Sequence, residues 1–192
     1  MATQIKSKPG LRNAFDASSK EVQRYFEHIP KLIDTFPMDV CLSYAFARLE
    51  LGQNMALYCG AVRIHKANAE VARKAVSTQH MTRKTFVSLY KTVLDVDLPK
   101  AAHADLRSAE KTRDHIMHGK GATDDKIRNA IARVLEYAEE VNKQLDAKHG
   151  FKPFGNLKGF AGKSKKLDKR TTRFLRPFFT FAGRIPVIPA SV

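Results

Sequence analysis

The sequence predicts an all-α protein, a bundle of long antiparallel helices with an irregular basic C-terminal tail, and three observations carry that prediction. Apolar residues recur at spacings of three and four through most of residues 16–148, the period of one face of a helix. Alternation of apolar and polar residues, the mark of a half-buried strand, is absent up to residue 150. Cap and breaker residues (Pro30, Pro37, Thr82, Pro99, Gly119, Gly150) punctuate the pattern at helix-length intervals. No internal repeat accompanies it.

Three regions follow: a flexible N-terminal arm over 1–15, the helical bundle over 16–148 and a basic, Phe-rich tail over 149–192. Pro9, Gly10 and scattered basic residues give the arm no periodicity. Ser18-x-x-Glu21 has the form of a capping box, followed by Val22, Phe26 and Ile29 at helical spacing. Pro30 kinks or ends that helix, Phe36-Pro37 ends the region, and His28 reads as a surface residue at a helix end. From Asp39, the residues Val40, Tyr44, Ala47, Leu51, Met55, Tyr58, Val62, Ala69, Ala72 and Val76 form one stripe. Gly52 and Gly60 weaken it, so a bend or a break is expected. Its aromatic and methionine positions read as core, and His65 lies toward its edge.

Thr82 is the next expected N-cap, ahead of an apolar face of Phe86, Leu89, Tyr90, Val93 and Leu94. Asp95, Asp97 and Pro99 close that helix and open another, which runs to Gly119. On it Ala102, Leu106, Ala109, Ile116 and Met117 share a stripe at about 100° per residue, and Arg113 falls inside the stripe. The last helix opens at Thr123 with Asp124 and Asp125 in its first turn. Ile127, Ala130, Ile131, Val134, Leu135, Ala138, Val141, Asn142 and Leu145 give it two apolar positions per turn before Gly150.

A length of 192 residues suits one domain plus a tail. The net charge of +15 exceeds what solubility needs and implies a polyanionic partner. Nucleic acid stands first, an anionic membrane surface second and acidic protein third. The polar opening carries no secretory signal and no apolar run is long enough to span a bilayer, so a cytoplasmic protein without a membrane is expected. Cys41 and Cys59, about 27 Å apart if one helix carries both, read as free core thiols, and no metal-ligand spacing or other cofactor signal accompanies them. In the tail, ten Lys and Arg stand against one acid, Asp168, and seven of the twelve phenylalanines are concentrated there. Two readings fit: basic and aromatic residues that pair phosphates and stack bases, or an arm that packs its phenylalanines while its charges stay solvated.

The chemistry is expected at Arg113-Asp114-His115-Ile116-Met117-His118-Gly119. A guanidinium aimed at a core or an interface is costly unless a partner, an anion or a second chain meets it. Asp114 stands one helical turn before His118 and can reach back to set its tautomer and basicity. His115 points away from the apolar stripe. A second Arg–His pair, Arg73 with His80, lacks this setting: Lys74 follows the arginine and the histidine falls between helices.

Arg113-x4-His118, with a polar residue after the arginine, a closing glycine, a short turn and another long helix, resembles the HEPN superfamily over residues 16–148. The resemblance implies a helical bundle, a metal-independent ribonuclease and a homodimer in which two motifs form one composite site. It also implies roles by position. His118 would be general base or acid, Arg113 would hold the phosphate and stabilise its developing charge, and Asp114 would orient His118. The 2′-hydroxyl of RNA would attack the adjacent phosphorus, leaving a 2′,3′-cyclic phosphate and a 5′-hydroxyl. Lys120 and the tail residues Lys163, Lys165, Lys166, Lys169, Arg170 and Arg173 would contact the RNA backbone. A toxin–antitoxin or phage-defence role, with a cognate inhibitor protein, fits the same resemblance.

Other readings stay open on the residues themselves. Arg113 can pair with Glu110 or Asp114 while His118 caps its helix. His115 and His118 have a metal-ligand spacing without a clear third ligand. The chain can be a non-catalytic HEPN-like module that binds RNA or a partner protein, or an adaptor that meets an anionic membrane or an acidic protein through its tail.

Overall fold

The computed structural model describes residues 4–77, 81–157, 160 and 166–173. Among these residues the fold is all-α, with no strand. The helices are α1 (Lys8–Asp16), α2 (Lys20–Tyr25), α3 (Ile29–Thr35), α4 (Met38–Arg63), α5 (Ala69–Ser77), α6 (Arg83–Leu94), α7 (Lys100–Met117) and α8 (Asp124–His149), followed by a helical segment over 169–173. No helix of the described residues is long and apolar enough to cross a membrane. The chain divides into two compact units, Met1–Met55 with Leu98–Lys158, and Ala56–Asp97 with Gly159–Val192.

The first unit is built on the α7–α8 hairpin. All nine residues expected on the inner face of α8 are buried, because a two-per-turn stripe can leave water only against other helices. Ala102, Leu106 and Ala109 of α7 are buried too. Thr123 stands at the N-cap of α8 without a side-chain cap bond, and Gly150 ends the helix in the left-handed conformation at φ 68°.

Four expectations are corrected here. In place of an aperiodic arm, residues 8–16 form α1, capped by Ser7 and burying Leu11 and Phe15. A helix of two turns shows only one apolar pair, too little for a period to register. The cap of α2 is Ser19, which accepts from the Val22 N–H. Ser18 instead donates to the Ala14 carbonyl, and Glu21 pairs with Lys152. Pro30 sits in the first turn of α3, where its missing N–H costs nothing; the preceding helix has already ended at Tyr25. In the N-terminal half of α4 the buried apolar residues are Met38, Cys41, Leu42, Ala45, Phe46 and Leu49, while the expected Val40 and Leu51 are 41% and 42% exposed; only further along are the expected Tyr58 and Val62 buried. That helix is apolar on nearly every side, so spacing alone could not choose the inner face.

Both glycines of α4 are points of close approach, and the helix runs through them. A Cβ at Gly52 would lie 2.0 Å from the Phe154 ring. Phe154 is fully buried, edge-on to Tyr25 and Tyr137. Asn142 holds its backbone from both sides, its Oδ1 accepting from the Phe154 N–H and its Nδ2 donating to the carbonyl, each at 2.9 Å. The start of the tail therefore packs onto the helices, as does Phe151.

In the second unit the C-terminal part of α4 meets α6. Leu57, Tyr58, Cys59, Val62, Phe86, Leu89, Tyr90, Val93 and Leu94 are buried, and a Cβ at Gly60 would strike Val93 and Leu94 at 2.7 and 2.6 Å. The chain leaves helix after Arg63 and turns at Lys66, φ 55°; Ala69, Ala72 and Val76 of the expected single stripe belong to α5. Beyond α4, His65 Nε2 lies 2.9 Å from the Val93 carbonyl. Thr82 caps α6 as expected. Tail residues close this unit: the Leu167 N–H bonds the Lys66 carbonyl at 2.8 Å, and buried Thr172 accepts from the Asn68 N–H at 3.1 Å.

Candidate functional site at the end of α7

The last turn of α7 closes as a Schellman motif. Gly119, at φ 70°, donates to the Ile116 carbonyl at 3.0 Å, and the Lys120 N–H reaches the His115 carbonyl at 2.9 Å. This pair of bonds satisfies carbonyls that a helix end leaves open, and glycine takes the left-handed position without a Cβ clash. The turn stands in solvent: His118, Gly119 and Lys120 are exposed and Met117 is 69% exposed. Met117, expected on the buried stripe, lies instead in the exposed final turn.

Arg113 points the other way, onto α4. Its guanidinium carbon lies 4.9 Å from the centre of the Phe46 ring. Nη1 meets Glu50 Oε1 at 3.0 Å, while Nη2 and Nε meet Asp114 Oδ1 at 3.0 and 3.2 Å. The partner that an arginine on an apolar stripe requires is thus supplied within the chain. Glu50 was not anticipated as that partner, because nothing in a sequence relates residues 63 positions apart.

Within this chain the Asp114 carboxylate meets Arg113 rather than the His118 ring, and its carbonyl accepts from the His118 N–H at 3.0 Å. That backbone bond keeps His118 in helical register, so five residues of about 100° each set it about 140° around the axis from Arg113. Among the described residues no hydrogen bond or ion pair joins the His118 ring to Arg113 or Asp114. One chain holds the two motif residues on different sides of α7.

The remaining expected contacts are dispersed. Lys120 is exposed beside His118. Lys163 and Lys165 lie outside the described residues, as does His80 of the second Arg–His pair; Arg73 rests 5.5 Å from the Tyr58 ring centre. Lys166 donates to the Val62 carbonyl at 2.9 Å, and burial, then Lys66 and Arg63, push its pKa down. Lys169 pairs with Glu70 at 2.5 Å. Arg170 and Arg173 are exposed.

A groove of about 480 Å³ on another side of α7 was not foreseen. Lys111 and His115 line it from α7, and Lys126, Asn129 and Arg133 from α8. The signal was in the sequence, as basic residues four apart on α7 and seven apart on α8, but a charged helix face ordinarily means only solvation. Asp125 also borders the groove, with its carboxylate held by Arg128. Arg128 is buried and donates as well to the Lys6 carbonyl at 3.1 Å.

Among the described residues no three His, Cys, Asp or Glu side chains gather as a metal site. Cys41 and Cys59 are buried and unpaired with each other. No protein-family model, curated protein or solved structure matches this chain.

Proposed function

We propose that this protein is a metal-independent endoribonuclease of the HEPN type, acting as a homodimer whose site is completed by two chains. The observation that carries the reading is the end of α7 itself. His118 stands free on an exposed turn, close in sequence to an arginine anchored by Phe46, Glu50 and Asp114. A dimer that sets the α7 ends against each other brings the His118 of one chain toward the Arg113 of the other. The imidazole takes the proton of the attacking 2′-hydroxyl or gives one to the 5′-oxygen that leaves. The guanidinium steadies the charge that develops on the phosphate oxygens. A toxin–antitoxin or phage-defence setting, with an inhibitor protein, belongs to the same proposal.

The test is labelled RNA incubated in EDTA with the wild-type protein, with Arg113→Ala, with His118→Ala and with a mixture of the two variants. The proposal expects cyclic-phosphate ends from the wild type and intact RNA from each variant alone. The mixture should recover part of the activity, because a mixed dimer keeps one site with both residues. Intact RNA in every lane overturns it.

A second reading is favoured by one observation: both carboxylates near Arg113 already occupy its guanidinium, as in a purely structural anchor. The chain is then a non-catalytic module that binds RNA. That reading expects undiminished RNA affinity in both variants and no cleavage to lose.

A further inference from the structure

The groove between α7 and α8 gathers Lys111, His115, Lys126 and Arg133 around one concavity. Lys111 and Lys126 form no ion pair among the described residues. Arg133 shares its field with Glu136 one turn on. Asp125, the acid on the rim, pairs with Arg128, which also meets Asp124 at 3.7 Å. What the groove presents is therefore, at Lys111 and Lys126, positive charge without an ion-pair partner among the described residues, together with the Asn129 amide as a further donor and acceptor. Such charge in a concavity focuses the field on an anion.

The row on α7 has a direction. Lys111, His115 and His118 are spaced at i, i+4 and i+7, so at about 100° per residue they fall within about 60° of one another. The Asp114–His118 backbone bond of 3.0 Å keeps that register to the last residue. A strand lying along the groove thus passes from Lys111 over His115 and arrives at His118, on the side of the helix that Arg113 does not occupy.

The lining also selects the class of ligand. Pockets for compact small molecules are lined mostly by hydrophobic and aromatic side chains, whereas this groove has no large hydrophobic or aromatic side chain in its described lining: its cations stand among amides, hydroxyls, Gly121, Ala122 and the Asp125 carboxylate. A bilayer-binding surface needs an apolar face to insert, and among the described residues the lining of this groove offers none. An extended polyanion fits both the charge and the open form. We propose that the α7–α8 groove binds the phosphodiester backbone of single-stranded RNA and leads the strand to His118. The proposal rests on the RNA reading above but needs only binding.

The test uses the full chain carrying His118→Ala, so that cleavage cannot intervene, with a fluorescein-labelled single-stranded RNA followed by anisotropy across a KCl series. A groove variant adds Lys111→Gln, Lys126→Gln and Arg133→Gln. A control variant adds Lys31→Gln, Lys84→Gln and Lys100→Gln, the same charge removed from exposed positions elsewhere. Circular dichroism checks that both fold, and Lys126→Gln alone serves as a milder version.

The groove variant should bind at least about tenfold more weakly at moderate salt. Its salt slope should be smaller by about 2, from about 0.7 per phosphate contact on a single strand. Lys126→Gln should show about a third of that slope change, and the control should lose little. Equal losses in groove and control variants would mean that only total charge matters, and would overturn the proposal. So would unchanged affinity in the groove variant, or no binding of RNA by the parent protein. If the groove variant alone loses affinity while protein with His118 intact never cleaves RNA, the groove stands and the nuclease reading falls.

Discussion

Arg113 is the residue on which structure and chemistry compete. Its side chain is 32% exposed, over an aromatic face worth about 0.5–1 kcal/mol and beside two carboxylates that are more exposed still. Exposed ion pairs add little, so Arg113→Ala should cost about 1 kcal/mol in a urea titration and leave a folded protein for the cleavage assay. A loss of several kcal/mol would mean that the arginine is a core anchor and that its cleavage phenotype says nothing about chemistry. The two cysteines give a sharper single-residue expectation. Burial pushes both thiols from an ordinary 9.0 up to about 12. Each folded-state thiol keeps its proton where the unfolded chain has lost it, so their contribution is whole below pH 9 and drains away as the pH climbs toward 12. Cys41→Ala with Cys59→Ala should be less stable at pH 7, from lost packing, yet lose less stability between pH 8 and 10.5 than the wild type. Parallel decline of the two proteins would show that the thiols are not what titrates.

At the scale of elements, the tie between α8 and the start of the tail is the most exposed to test. Asn142 satisfies both the N–H and the carbonyl of buried Phe154. Asn142→Ala would leave two buried polar groups open, at about 1–3 kcal/mol each, and should lower the urea midpoint accordingly. Gly52→Ala drives a methyl into the same ring and should cost about 1–3 kcal/mol. A near-neutral result for both would mean that residues 151–157 do not pack on the helices. The same elements show what a sequence can carry. α8 was legible in full, since its stripe, its acidic first turn and Gly150 all point to one helix, and α6 was legible from its Thr82 cap and its apolar face. α4 was legible as a helix, and of its expected stripe Tyr58 and Val62 are buried while Val40 and Leu51 are not; the orientation of its N-terminal half was not legible, because apolar residues on nearly every side leave the period without a phase. α1 was too short to have one. At the end of α7 the spacing of Arg113 and His118 did not bring the two side chains together within one chain, while the helix stop at Gly119 was legible. The grip of Glu50 and Phe46 on Arg113 was not, because it depends on how α4 and α7 pack. Nor was the groove, since its two basic rows acquire meaning only when the hairpin sets them face to face.

At the scale of the whole molecule the governing quantity is the net charge of +15. Self-repulsion of that size opposes the compact state, and added salt screens it over a Debye length that shrinks to about 8 Å at physiological ionic strength. Thermal stability of the free protein should therefore rise as KCl is added from near zero to about 0.2 M, the range over which screening sets in. RNA changes the sign of that dependence. A polyanion that binds only the folded state adds stability in proportion to RT ln(1 + [L]/Kd), and its affinity falls steeply with salt because released counter-ions carry the binding. With RNA present at a fixed concentration, the melting temperature should start higher and decline with KCl until it meets the rising curve of the free protein. Two calorimetric salt series, with and without a single-stranded RNA, decide the matter. Converging curves mean that the excess charge serves a polyanion. If RNA leaves the melting temperature unchanged at every salt concentration, the charge is no nucleic-acid footprint, and the RNA reading of α7 loses its physical support together with the groove.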